Sequence, residues 1–367
     1  MNGPETKVER IYRWLLQYID ENKFSKNQRL PSENALAQKF SVSRDTVTKV
    51  FDRMEQEKLI IRKQGSGTFL NKQVVLSQEL EPGSAPIKIG LILQGQDSDA
   101  NMELVSGIRS VLPAETATLK VFLTDNKFSN ERTCLQTVIH QNFDGFIVDG
   151  VKATIVNPNL DCYAELYRRR IPVIFYNNYY KGLKYPRVII NDTMCAEELV
   201  LPLIRAGHRH IAGIFPYDNY QSAEKFRGMV ETLQKNGIPF RDDYIKLCLS
   251  HEAHDPKFVR SIEQFLRRLP KCTAIVCCNY MIYRHVRSAL ERMGKQVPQD
   301  YSIVCFDYSH TDLQRENIYC SIQQGREQGV QVAGRLMQMI ERKECDDKGY
   351  SLVLRPKIYP GASIREL

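Results

Sequence analysis

From Ile87 to Phe306 the sequence repeats one pattern: a short apolar run of strand length, a turn signal, then a longer stretch with helical spacing. The runs are Ile87-Lys88-Ile89-Gly90-Leu91-Ile92-Leu93, Phe143-Asp144-Gly145-Phe146-Ile147-Val148, Pro172-Val173-Ile174-Phe175, Ile211-Ala212-Gly213-Ile214-Phe215, Ala274-Ile275-Val276-Cys277 and Ile303-Val304-Cys305-Phe306. A run that is apolar at successive positions suits a strand covered on both faces. Covered strands alternating with helices lead to a parallel α/β sheet, because the crossover helices supply the cover. Residues 87–367 are enough chain for two such lobes rather than one.

The first 72 residues are of another kind. They hold 14 Lys and Arg against 9 Asp and Glu, so +5 of the net +8 lies in the first fifth of the chain. A small basic segment attached to a large, nearly neutral one fits a nucleic-acid module joined to a separate domain. Val8, Ile11, Tyr12, Leu15, Leu16 and Ile19 fall on one helical stripe. Leu30-Pro31-Ser32-Glu33 restarts the chain: Pro31 disfavours helix in the residue before it, Ser32 can cap, and Leu36, Ala37 and Phe40 form a second stripe. A third helix follows, with Ser43 as its cap, Val47, Val50, Phe51 and Met54 inward, and Arg44, Asp45, Thr48 and Lys49 outward. The last two helices, joined by Phe40-Ser41-Val42-Ser43, form a helix-turn-helix whose second member would enter a major groove. Leu59 to Gln64, Gly65-Ser66-Gly67 and Thr68-Phe69-Leu70 then read as a β-hairpin. Its Arg62, Lys63 and Gln64 would make it a wing that reaches the minor groove.

The order and spacing of LPSENALAQKFSVSRDTVTKVF and IIRKQGSGTFL, from Leu30 to Leu70, closely resemble the winged-helix DNA-binding domain of GntR-type bacterial regulators. The resemblance implies operator contacts at Arg44, Thr46 and Gly65. With the outward face of the helix and the wing, the expected DNA-binding set is Ser43, Arg44, Asp45, Thr46, Thr48, Lys49, Arg62, Lys63, Gln64 and Gly65. Two positions depart from the family pattern. Asn34 and Thr48 stand where basic residues are common, which would alter the operator sequence or lower affinity.

Residues 73–86, rich in Ser, Glu, Pro and Gly, look like a linker between this 1–72 head and an 87–367 body. In the body, Phe143-Asp144-Gly145, Ile171-Pro172-Val173, Ala206-Gly207-His208-Arg209-His210-Ile211, Gly237-Ile238-Pro239-Phe240, Thr273-Ala274-Ile275, Val297-Pro298-Gln299-Asp300 and Cys305-Phe306-Asp307 follow in the order seen in LacI-type effector domains. Those domains are similar to periplasmic sugar-binding proteins. A GntR-type head on a LacI-type body resembles the arabinose-repressor branch, which implies a sugar-responsive repressor. It also implies crossings between lobes near Asn191, Ile322 and Tyr350. One lobe would then hold residues 87–190 and 323–349, and the other 191–322 and 350–367, with ligand in the cleft at the strands' carboxyl ends.

A cleft that binds sugar needs side chains that donate to and accept from hydroxyls, and an aromatic face. Asp149, Asn279 and Asp307 each follow an apolar run directly, and the resemblance places effector contacts at Asn279 and Asp307. Gln94, Tyr217 and the run Tyr176-Asn177-Asn178-Tyr179-Tyr180 are further candidates. Lys225 stands where LacI-type proteins usually carry an arginine, three residues before a glycine that is Gly228 here. Lysine is a point charge where arginine is a planar fork. Either the effector offers a different acceptor, such as a phosphate or carboxylate, or Arg227 shares the role.

Other chemistries find little support. No run of about 18 apolar residues occurs, and Met1 to Arg13 lack the apolar core of a secretory signal, so a cytoplasmic protein with no membrane partner is expected. Ten cysteines without CxxC spacing read as reduced, buried thiols. His208-Arg209-His210 and His251-Glu252-Ala253-His254 lack the spacing and third ligand of a metal site, so no metal and no cofactor is expected. GntR-type heads also occur on pyridoxal-phosphate enzyme-like bodies, but such bodies are roughly a hundred residues longer than the chain allows. The expected partners are operator DNA, a small sugar-like effector and a second copy of the chain, because two heads span two half-sites.

Overall fold

The structure is a computed structural model that describes residues 7–21, 30–56, 60–63, 67–70, 87–95, 99–113, 115–308 and 313–367. The expected linker and the wing-tip residues Gln64 and Gly65 lie outside these residues.

The head comprises α1 (Lys7–Glu21), α2 (Glu33–Phe40), α3 (Arg44–Gln56) and the strands β1 (Ile60–Lys63) and β2 (Gly67–Leu70). Ser32 caps α2 by accepting from the Ala35 N–H at 3.2 Å. Ser41 ends that helix in the left-handed region at φ 52°, which turns the chain towards α3. Ile11, Leu15, Leu36, Val47, Val50, Phe51, Met54 and Ile60 form a core that locks α3 against α1 and the hairpin. The hairpin is antiparallel, pairing Ile60 with Leu70 and Lys63 with Gly67.

The body contains two six-stranded sheets. Its first part runs β3 (Ile87–Leu93), α4 (Asp99–Val111), β4 (Ala117–Leu123), α5 (Phe128–His140), β5 (Gly145–Val148), α6 (Leu160–Arg168), β6 (Val173–Tyr176) and β7 (Arg187–Ile190). The second runs α7 (Asp192–Arg205), β8 (Ile211–Pro216), α8 (Tyr220–Lys235), β9 (Ile245–Cys248), α9 (Phe258–Arg267), β10 (Ala274–Cys277), α10 (Tyr280–Arg292), β11 (Ser302–Tyr308), α11 (Leu313–Glu316) and β12 (Tyr319–Ile322). The chain then adds α12 (Gly325–Arg342) and β13 (Leu352–Leu354) to the first lobe and β14 (Ile358–Tyr359) to the second. Strand order is β13-β7-β6-β5-β3-β4 in one sheet and β14-β12-β11-β10-β8-β9 in the other. Neighbours pair in parallel except β14, which is antiparallel to β12.

The lobes exchange chain at Asn191, between Ile322 and Gly325, and between Leu354 and Ile358. The third crossing therefore comes after the expected Tyr350, because Leu352–Leu354 extends the first sheet in register with Val188–Ile190 before the chain leaves it. The crossing segments bond to one another: Asn191 N–H donates to Leu354 O at 2.9 Å, and Ile322 N–H to Lys357 O at 2.9 Å. Each lobe keeps its own core, one filled from Ile89, Leu91, Ile147 and Ile174, the other from Leu199, Ile214, Val276 and Val304. All ten cysteines are buried and free.

Candidate functional site

In the head, the outward face of α3 carries exposed Arg44, Asp45 and Lys49 and half-buried Thr46 and Thr48. Ser43 immediately precedes α3, and its hydroxyl shares a 2.8 Å hydrogen bond with the Thr46 hydroxyl rather than capping a backbone N–H. Arg44 is tethered by α2: its Nε donates to Glu33 Oε2 at 3.0 Å while its side chain stays 68% exposed. Thr48 donates to the same Glu33 oxygen at 3.3 Å, or to Arg44 O at 3.1 Å. The helix N-terminus thus holds a restrained guanidinium, a geometry suited to base edges and phosphate.

Arg62 departs from its expected place on a wing that reaches outward. Its guanidinium folds back on α3, donating to Asp52 Oδ1 at 2.7 Å and Thr48 O at 3.3 Å. Glu55 lies at 3.7 Å and the Phe51 ring at 5.8 Å from it. Asp52 and Glu55 place two acidic side chains of α3 beside this strand cation. Lys63 lies in β1; its side chain lies outside the described residues, as do Gln64 and Gly65.

In the body, polar residues gather where strands of both lobes end. From the first lobe, Gln94 follows β3 and donates through Nε2 to Gly150 O at 2.7 Å. Asp149 follows β5 and accepts from Asn178 Nδ2 at 2.8 Å. Burial pushes the Asp149 carboxyl up to about 7, against the opposing effect of that hydrogen bond. Tyr176 ends β6 and donates to Asn101 Oδ1 at 3.3 Å. Burial raises its phenol, and the charges of Asp149 and Asp307 raise it further, so it lies in the field of a carboxylate from each lobe.

From the second lobe, Asp307 near the end of β11 takes the left-handed conformation at φ 49°, and its N–H donates to Ser321 Oγ at 2.9 Å. Its carboxylate is bonded by Lys225 Nζ, which is 2% exposed, 3.9 Å from Asp192 Oδ1 and 5.4 Å from the centre of the Phe306 ring. Burial alone would lower the Lys225 ammonium, but Asp307 and Asp192 outweigh it and hold the group above its ordinary value. Burial pushes the Asp192 carboxyl up. Gly228, one turn along α8 from Lys225, lets α8 approach α7: a Cβ there would lie 2.7 Å from Thr193 O. Asn279 caps α10, its Oδ1 accepting from Ile282 N–H at 2.9 Å. The Tyr217 ring is 51% exposed and is not drawn into the Lys225–Asp307 cluster.

Among the described residues, the lobes meet across this cleft through one short segment. Asn126 Nδ2 donates to Asp218 Oδ2 at 3.1 Å, Thr154 Oγ1 to Tyr217 O at 2.9 Å, and Gln221 N–H to Asn178 Oδ1 at 3.2 Å. The Tyr179 and Tyr220 hydroxyls are 2.9 Å apart. Three loops of the first lobe therefore land on residues 217–221 of the second, at the start of the helix that carries Lys225.

Residues 7–70 match the family described as bacterial regulatory proteins, gntR family, and residues 200–364 match the periplasmic binding protein-like domain. The chain therefore joins a GntR-type helix-turn-helix domain to a periplasmic-binding-protein-like domain, the make-up of a transcriptional regulator. This regulator is 28% identical over 360 residues to the arabinose metabolism transcriptional repressor of Halalkalibacterium halodurans, covering 96% of this chain and 95% of that one. It is 29% identical over 368 residues to the protein of the same name from Geobacillus stearothermophilus, covering 98% of each. Its fold is that of the solved transcriptional regulator CelR–cellobiose complex, with a TM-score of 0.66 at 16% identity, covering 99% of this chain and 100% of that one.

Three residues of the regulator's two regions were not singled out in its sequence. Glu33 reads as an ordinary acidic residue in the first turn of a helix, Asp192 as the residue after a crossing, and Asn101 as part of a surface helix. Glu33 reaches its partner in the next helix, and Asp192 and Asn101 reach theirs across elements far apart in sequence, so no local pattern marks any of them.

Proposed function

We propose that this regulator is a cytoplasmic, homodimeric repressor of carbohydrate-utilisation genes, bound to a pseudo-palindromic operator through α3 and its wing and released by a monosaccharide. It acts by binding rather than by catalysis. The observation that carries the reading is one chain holding both an exposed, tethered Arg44 at a recognition-helix start and, where the lobes meet, a Tyr176 within the field of Asp149 from one lobe and of the Lys225-bonded Asp307 from the other. The full-length likeness to two arabinose repressors supports the sugar class, with arabinose the first to test. A ligand that joins Asp149 and Tyr176 to Asp307 favours the closed arrangement of the lobes. It shifts operator affinity only by its differential affinity for the two arrangements.

The test is fluorescence anisotropy of an operator fragment at stated salt, with and without neutral pentoses and hexoses, sugar acids and sugar phosphates. Release by at least one sugar supports the reading, and a complex that no member of the panel disturbs refutes the sugar-responsive part of it.

A further inference from the structure

Lys225 could be taken for an anchor for an acidic ligand, but its surroundings oppose that role. It is buried, bonded to the Asp307 carboxylate and 3.9 Å from a second carboxyl, Asp192, which is itself 8% exposed. The thiol beside it, Cys278, is pushed up to about 11 by burial and stays uncharged near neutrality. The facing lobe contributes Asp149, another carboxyl. Cations bordering the lobe contact are engaged elsewhere: Lys181 lies 5.0 Å from the Tyr220 ring centre, Arg187 4.4 Å from that of Tyr179, and Arg227 pairs with Glu224 and Glu231. With one ammonium bonded to one carboxylate and 3.9 Å from a second carboxyl, the cluster holds no surplus of cationic over acidic groups. Among the described residues, a ligand anion entering it would lose hydration without gaining an unmatched cation.

We infer that Lys225, Asp307 and Asp192 form a charge-matched triad that restricts this cleft to uncharged polyols and excludes sugar acids and sugar phosphates. The inference rests on the proposed reading of the cleft as the effector site and narrows its ligand class. An uncharged sugar presents hydroxyl hydrogens to the partly exposed Asp307 carboxylate and a hydroxyl oxygen to the Lys225 ammonium, which leaves the charge balance unchanged. Asp192 acts through Lys225 and is a positioning residue: it keeps the ammonium matched when Asp307 turns part of its bonding to the ligand.

The experiment is isothermal titration calorimetry on the full chain with neutral pentoses and hexoses, arabinose first, and with their aldonates and phosphates. The wild type is expected to bind a neutral sugar about a hundredfold or more tightly than its aldonate or phosphate. In Asp307→Asn that ratio should fall by about tenfold or more, and further in the Asp192→Asn, Asp307→Asn double variant, where the lysine is unmatched. A wild type that binds the aldonate or phosphate as tightly as the neutral sugar overturns the inference while leaving the effector site standing. An unchanged ratio in both variants does the same. If neutral binding is lost in Asp307→Asn, aldonate binding above the wild-type level supports the inference and its absence overturns it. Wild-type protein that binds nothing in the panel overturns the effector-site reading itself. The wild-type ratio needs no variant, so poor folding of either variant still leaves a decisive measurement.

Discussion

Glu33 Oε2 accepts from Arg44 Nε at 3.0 Å, joining the first turn of α2 to the first turn of α3. This bond engages Nε, and the two terminal nitrogens of a guanidinium are the pair that can grip the O6 and N7 of a guanine. Arg44→Ala should therefore cost operator affinity by about 1–3 kcal/mol while sparing effector binding. Glu33→Ala should lower the ratio of operator to random-DNA affinity, because a freed arginine still meets phosphate but loses its aim. Anisotropy with both duplexes reads the two quantities. Equal losses of DNA and effector binding in Arg44→Ala would contradict the independence of head and body.

Arg62 makes the opposite case. Its guanidinium is bound to Asp52 and to the carbonyl of Thr48, so it fastens the hairpin to α3. Arg62→Ala should lower the head's stability by about 1 kcal/mol, the usual scale for a partly exposed, well-formed pair. The slope of log affinity against log salt should change little, since few phosphate contacts are removed. A slope reduced by about one with unaltered thermal stability would return Arg62 to the DNA interface.

These two arginines mark how far the sequence could be read. The helical stripes of the head and the buried runs of the body lie in local periodicity, and the strands form near where periodicity places them: Ile87–Leu93, Ile211–Pro216 and Ala274–Cys277 are examples. The direction of a side chain is set by neighbours brought in by the fold. Arg62 turned inward because Asp52 and Glu55 share a face of α3, and Lys225 came to lie between carboxyls because Gly228 admits α7. The late third crossing has a similar origin. Leu352–Leu354 is short and only partly buried, so pairing with β7 rather than an apolar run makes it a strand.

The contacts on residues 217–221 give a prediction about lobe closure. Asn126 bonds Asp218 through Nδ2 and receives the Lys152 N–H on Oδ1, while Asp218 Oδ1 accepts from Ser250. Asn126→Ala removes one of the four hydrogen bonds that join residues 217–221 to the first lobe among the described residues, without touching Lys225 or Asp307. A net loss of about 1 kcal/mol in the closed arrangement corresponds to an effector affinity about fivefold weaker. Calorimetry measures the affinity, and small-angle scattering of the ligand-free chain should show a larger radius of gyration. Unaltered values of both would mean that this contact does not bias closure.

Asp149 links the cleft to pH. It is 8% exposed, and burial raises its carboxyl to about 7, well above the value of about 4 expected in an unfolded chain. A group with a raised folded value binds its proton more tightly in the native state. Its stabilising contribution is therefore complete below about pH 4 and is lost as pH rises through about 7. Asparagine keeps an oxygen to accept from Asn178 Nδ2 and has no proton to lose, so Asp149→Asn should remove this dependence. The variant should gain on the wild type by about 2–3 kcal/mol between pH 5 and pH 8. Thermal melts of both proteins across that range measure the difference, and contributions from other titrating groups, including buried His208 and Asp192, cancel in the comparison. A difference that stays flat with pH would show that Asp149 is already ionised and well solvated in the native cleft. One that shrinks with rising pH would require a cation near Asp149 that none of its described partners supplies.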